Sequence, residues 1–169
     1  MDKVFIRNII TNKEEELIFT DEKVYDPSVS LRQKDRDTDE IYISYSTPKT
    51  QNRTYLYNIK TKEKKLVKEQ IIPSGHEPND YIVERLECPS HDGRVVPITI
   101  TRHKNTPIDG SAELLLYGYG SYGHSMSPTF SSTRLSLIKR NIIWATAHIR
   151  GGMELSLIHI WRCRRSVGG

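Results

Sequence analysis

Cysteine and tryptophan occur twice each in this 169-residue chain, and phenylalanine three times. Two cysteines, Cys88 and Cys163, make neither a disulfide framework nor a metal knuckle. Cys88 falls in a predicted strand and reads as a small core residue. No histidine, cysteine and carboxylate group has the spacing of metal ligands, so neither a metal nor a cofactor is expected. Long apolar runs are missing too. The longest, within NIIWATAHI at 141–149, is far too short to span a bilayer, so no membrane partner is expected. MDKVFIRNII has no continuous apolar stretch ending in small residues and is not a signal peptide. A cytoplasmic location is therefore expected, or a periplasmic one should the true N-terminus lie upstream. Acids are absent after Glu154, whereas Arg162, Arg164 and Arg165 follow it. These three arginines carry most of the formal charge of +4, and the remaining charges are interspersed. Nucleic-acid binding needs a clustered basic face, so nucleic acid is not an expected partner.

Composition also changes abruptly at the C-terminal end. LSLIHIWRCRRSVGG, residues 155–169, continues no periodicity from RGGME and looks like the translation of a sequencing adapter. It is set aside as a non-native tail.

What is present divides into two patterns. Through residue 75, VFIRNI, ELIFTD, IYISYS, RTYLYNIK and KKLVKE are β-branched and aromatic segments bounded by polar turns, and read as short strands. Asn8-Ile9-x-Thr11 recurs as Asn58-Ile59-x-Thr61, each after an aromatic-aliphatic strand and before a charged turn. A period of about 40 to 50 residues with several strands per unit is a propeller signature. The run RQKDRDTDE, with Asp37 and Asp39, is a charged loop between blades on this reading.

IPSGHEPND, residues 72–80, is rich in Pro, Gly and Asn and marks a boundary. Residues 1–78 are then expected to be part of a β-propeller cap, and 79–154 a second domain. In that domain, YIVERLEC and RVVPITIT flank Ser90-His91-Asp92-Gly93, a hairpin whose Gly93 supplies positive φ. Val96, Ile98 and Ile100 share one face of the second strand. ELLLYGYG is apolar on both faces and predicts a buried central strand. A helix capped by Ser131 or Ser132 places Leu135 and Ile138 one turn apart on its inner face, and NIIWATAHI follows as another strand. Strand, helix and strand make a parallel crossover unit.

LLLYGYGSYG, residues 114–123, raises the functional question, because glycines at 118, 120 and 123 match the dinucleotide-binding spacing GxGxxG. Pyrophosphate binding needs a helix opening at the third glycine, yet Pro128 delays the helix. It also needs an acid at the end of the next strand, which instead ends His148-Ile149-Arg150. The better reading takes the hairpin as the first two strands of an α/β-hydrolase and this segment as its third strand. The loop after that strand contributes an oxyanion donor. Tyr119, between two glycines, can present a phenol that stays protonated at neutral pH. His148 reads as a satisfied core histidine, and His91 and His103 as solvated ones.

YGYGSYG, then SPTFSSTRLSLIKR and AHIRGG, resembles the prolyl oligopeptidase family of serine peptidases, among its branches oligopeptidase B. ERLECPSHDGRVVPITI and the earlier strands extend the resemblance across most of residues 1–154. It implies a seven-bladed propeller capping an α/β-hydrolase domain, and short peptides as substrates. It implies that Tyr119 donates to the oxyanion hole and that Tyr122 lines the pocket for the residue before the scissile bond. Tyrosine at 122, where prolyl-specific members have phenylalanine, favours the oligopeptidase B branch, which cleaves after Lys and Arg using acidic pocket residues not among those here. Arg150 and Glu154 lie in the RGGxE loop with their role open, and Met153 replaces a common glycine. The family's nucleophile occupies a GxSxG elbow that this sequence does not contain. The chain is accordingly expected to carry the oxyanion loop without the Ser/Asp/His triad and to be inactive alone. The alternative from another class is a propeller-derived interaction module in which the tyrosine loop only packs.

Overall fold

The computed structural model describes residues 3–31, 38–122 and 126–151. Gly123, Asp37, Met153, Glu154, Cys163 and the suspect tail lie outside the described residues. The chain divides into two compact units, Met1–His76 with Pro128–Ser131 and Glu77–Ser127 with Ser132–Gly169.

The first unit is all β. Strands β1 (Phe5–Arg7) and β2 (Glu14–Glu16) pair as an antiparallel hairpin. Strands β3 (Asp26–Leu31), β4 (Glu40–Ser46), β5 (Arg53–Asn58) and β6 (Lys64–Glu69) follow as an antiparallel meander in chain order. Strand β4 holds the core because its apolar residues recur every second position, on one face. Ile41, Ile43 and Tyr45 are buried there with Leu17, Phe19 and Tyr57. Phe19 meets Tyr45 edge-on at 6.4 Å, and Tyr45 stacks on Tyr55 at 6.0 Å. Val4 and Ile6, flanking and within β1, pack partly against the same cluster. Burying a side chain of this size contributes about 1.5–3 kcal/mol.

The internal repeat has a physical basis. Asn8 Oδ1 accepts the amides of Ile10 (3.0 Å) and Thr11 (2.9 Å). Asn58 Oδ1 accepts those of Lys60 (2.9 Å) and Thr61 (3.0 Å). Both turns close with a left-handed residue, Asn12 (φ 57°) and Lys62 (φ 64°). The motif thus encodes one Asx turn joining β1 to β2 and again β5 to β6.

Strand β3, which contains Pro27, is absent from the sequence expectation. It is an edge strand, where a missing N–H costs no ladder bond. The segment ELIFTD was expected to be extended throughout, but strand pairing ends at Glu16.

The second unit is a four-stranded sheet with one covering helix, α1 (Ser132–Ile138). Strands β7 (Tyr81–Pro89) and β8 (Val95–His103) form an antiparallel hairpin, turned at Gly93 with φ 76°. Strand β9 (Leu114–Gly118) leads through α1 to β10 (Ile143–Ala147), and β9 and β10 pair in parallel. Strand β10 also pairs antiparallel with β8, so the spatial order is β7-β8-β10-β9.

Two expectations are corrected here. β9 is an edge strand, because the crossover inserts β10 between β8 and β9. All five of its residues are exposed, and β8 and β10 are the strands bordered on both sides. Cys88 is exposed, because β7 is the opposite edge and its last six residues face solvent. On β8 the buried residues are Thr99 and Thr101, while the isoleucine face is half-buried. The helix behaves as its spacing predicts, with Leu135 and Ile138 buried.

Candidate functional site

Parallel strands β9 and β10 end together, with Gly118 opposite Ala147. Their following segments, 119–122 and 148–151, therefore leave the same carboxyl edge. In open α/β sheets that edge is where ligands bind.

The glycines of the first segment are required by the second. A Cβ placed on Gly120 would lie 2.6 Å from the Arg150 carbonyl oxygen and 2.8 Å from Ile149 Cγ1. A Cβ on Gly151 would overlap the Gly120 carbonyl oxygen, and Gly151 also has φ +105°, a left-handed backbone. Two backbones are thus in contact, with no room for side chains between them. Gly118 is different, since its added Cβ would meet Ala147 at ordinary contact distance. What approaches the glycine loop is the chain's own 149–151 segment.

Tyr119 stands between these two glycines and is 37% exposed, so its ring is accessible beside the strand end. Tyr122 is 98% exposed and has φ 58°. A tyrosine in the left-handed region carries backbone strain of about 1–2 kcal/mol, and such outliers concentrate at binding and catalytic positions.

His148 is buried, and its Nε2 lies 2.8 Å from Thr99 Oγ1, which makes it a satisfied core histidine rather than a base. His91 is exposed, as expected, next to Ser90. His103 is half-buried rather than fully solvated: it sits edge-on to Tyr81 at 5.8 Å and accepts the Asn105 amide on Nδ1 at 3.2 Å. The register that pairs Tyr81 with His103 brings these rings together, and alternation within one strand could not reveal it.

Arg150 is the residue whose setting the sequence left open. Its Nη1 donates to Asp92 Oδ2 on the β7–β8 turn, and Nη2 lies 3.5 Å from Ser90 Oγ. Asp92 Oδ1 also accepts the Arg94 amide at 3.3 Å. The Arg150 guanidinium, helped by that amide, holds the Asp92 carboxyl below its ordinary pKa against a smaller opposing effect of burial. Asp92 was legible only as a turn former, because its partner lies in a distant segment with no local signal.

The packing behind the site is aromatic. Tyr117 stacks on Trp144 at 6.1 Å, and the Arg134 guanidinium of α1 lies 5.6 Å above the same indole. Burial draws the Arg134 pKa below its usual range. Among the described residues no three His, Cys, Asp or Glu side chains cluster as metal ligands would. No helix among them is long and apolar enough to cross a membrane.

No family model matches the chain. Among curated proteins it is 38% identical over 151 residues to dipeptidyl aminopeptidase BI of Pseudoxanthomonas mexicana, covering 89% of this chain and 21% of that protein. Among solved structures it resembles oligopeptidase B from Leishmania major, with a TM-score of 0.77 and 27% identity over 91% of this chain and 22% of that one. Oligopeptidase B from Trypanosoma brucei, solved in a closed form with covalently bound antipain, gives a TM-score of 0.76 and 33% identity. That match covers 92% of this chain and 21% of the other. The chain thus spans about a fifth of the length of these relatives. Over most of this chain's length, its curated homologues and structural neighbours are members of the prolyl oligopeptidase family.

Proposed function

We propose that this chain is part of a serine oligopeptidase that hydrolyses peptide bonds in short peptides after Lys or Arg. Residues 1–78 are its closing propeller segment, 79–154 open its α/β-hydrolase domain, and 155–169 are non-native. The repeated Asx-turn hairpin and the four-stranded meander support the propeller assignment. An antiparallel hairpin leading into a parallel β-α-β unit supports the hydrolase assignment.

The observation that carries the reading is the placement of Tyr119. It lies at the carboxyl end of a parallel strand, accessible, in a loop whose backbone is fixed by contact with Arg150 and Gly151. When a nucleophile attacks a peptide carbonyl, negative charge develops on the carbonyl oxygen. A phenol O–H aimed at that oxygen donates a hydrogen bond that strengthens as the charge grows, and pre-fixing the loop avoids reorganisation at that moment. Tyr122, exposed and conformationally restricted, supplies an aromatic wall for the residue before the scissile bond. The nucleophile, base and orienting acid belong to the remaining four-fifths of a relative's length, consistent with the absence of a GxSxG elbow here.

Labelling tests this. A protein carrying residues 1–154 within a reading frame of full family length should react with a fluorophosphonate and cleave Arg- and Lys-terminated chromogenic peptides. A folded full-length protein with neither property would leave the interaction-module reading standing.

A further inference from the structure

The hairpin turn at Ser90–Arg94 and the segment after β10 are far apart in the chain, yet Asp92 and Arg150 form an ion pair between them. Neither side chain is fully exposed, at 33% and 25%. The pair joins a turn, closed by Ser90 accepting from Gly93 at 2.9 Å and donating to Arg94 at 2.7 Å, to the segment that follows β10, whose His148 amide donates to the Pro97 carbonyl of β8 at 2.9 Å. Arg150 presents its guanidinium to Asp92 and its carbonyl to Gly120, so one residue touches both the turn and the glycine loop.

We propose that Asp92 is a positioning residue for the Tyr119 loop, holding Arg150 so that the Arg150–Gly151 backbone braces Gly120. The assignment of Tyr119 as oxyanion donor is the premise that gives this bracing a catalytic meaning. Asp92 itself touches no reacting atom. Its effect travels through one ion pair and one backbone contact, both inside the same compact unit. A carboxylate serves better than a neutral acceptor, since the guanidinium fork needs a charged partner to fix its orientation.

Two measurements decide the matter. In the 169-residue chain, hydrogen exchange at the amides of Tyr119, Gly120 and Ser121 is compared between wild type, Asp92→Asn, Arg150→Gln and the double variant. Exchange there should rise about two- to fivefold in each single variant, the range an incompletely buried ion pair supports. The double variant should add nothing further, Asp92→Glu should restore protection, and amides at Thr99–Thr101 should not change. Unchanged exchange at 119–121, additive effects, or a rise across the whole sheet would overturn the proposal. In a full-length protein, Asp92→Asn should lower kcat with KM held, and Asp92→Glu should recover it. An unaltered kcat would also overturn it. If the full-length wild type proves inactive, the oligopeptidase reading fails, and the exchange result alone decides whether Asp92 braces the loop.

Discussion

Gly151 meets Gly120 backbone to backbone: a Cβ on Gly151 would overlap the Gly120 carbonyl oxygen, and one on Gly120 would strike the Arg150 carbonyl oxygen and the Ile149 side chain. Gly151→Ala meets both a clash and a left-handed φ, so it should destabilise the second unit by about 1–3 kcal/mol. Gly120→Ala should cost a comparable amount, because the atoms it strikes include a backbone carbonyl that cannot turn aside. Gly118→Ala meets only ordinary contacts and should change stability by less than about 1 kcal/mol. Denaturant melts of the three variants check the order, and equal effects would show that the close approach is not what selects glycine.

The first unit offers a separate test. Ile43 has no accessible surface and lies among Leu17, Phe19, Tyr45 and Tyr57. Ile43→Ala should destabilise that unit by about 2–5 kcal/mol, the loss of buried methyl and methylene groups plus the cavity left behind. Val29→Ala, on the edge strand and 43% exposed, should cost far less.

The hairpin turns of the first unit were legible because their signals are local. An Asx turn needs one asparagine and the next three residues, so the motif at Asn8 and Asn58 announces its own geometry. Helix α1 was legible for the same reason, through Leu135 and Ile138. Strand order was not. ELLLY is apolar on both faces whether it lies centrally or at an edge, and only the pairing of β10 with β8 decides. At the site, Tyr119 stood out through its glycines, while Asp92 and Arg150 are joined by tertiary contact alone.

Leu114, Leu116 and Tyr117 are exposed on β9, together with Leu86 on β7 and Ile108 in the intervening loop. An edge strand this apolar recruits other chains. The 169-residue chain should bind a hydrophobic fluorescent dye and self-associate as its concentration rises. Leu116→Lys should weaken both. A wild-type chain that stays monomeric and dye-negative would mean that these side chains are covered in solution.

Acid should loosen the site in a defined direction. Asp92 has its carboxyl pKa lowered by Arg150, so its folded value lies below the unfolded one, about 3.9. The stabilisation it contributes is therefore fully present above the unfolded pKa and is lost as pH falls through the folded one. Amide protection at Gly120, corrected for intrinsic exchange, should hold from neutrality to about pH 5 and fall below pH 4. Asp92→Asn should start from lower protection and remove that acid step. A step that survives in Asp92→Asn would assign it to another carboxyl.

Tyr119→Phe, made in a full-length protein, separates catalysis from packing. The substitution keeps the ring and deletes only the hydroxyl. If that hydroxyl serves charge present mainly in the transition state, its removal lowers turnover and leaves substrate binding nearly intact. Loss of one such donor costs about 3 kcal/mol, on the order of a hundredfold in kcat. Tyr117→Phe is the comparison, since its ring stacks on Trp144 and that packing survives the change. It should retain activity within about a factor of three, the effect of losing less than a kcal/mol. Equal losses in the two variants would make both tyrosines structural. A rise in KM alone for Tyr119→Phe would place the phenol on the substrate before reaction rather than on the developing oxyanion.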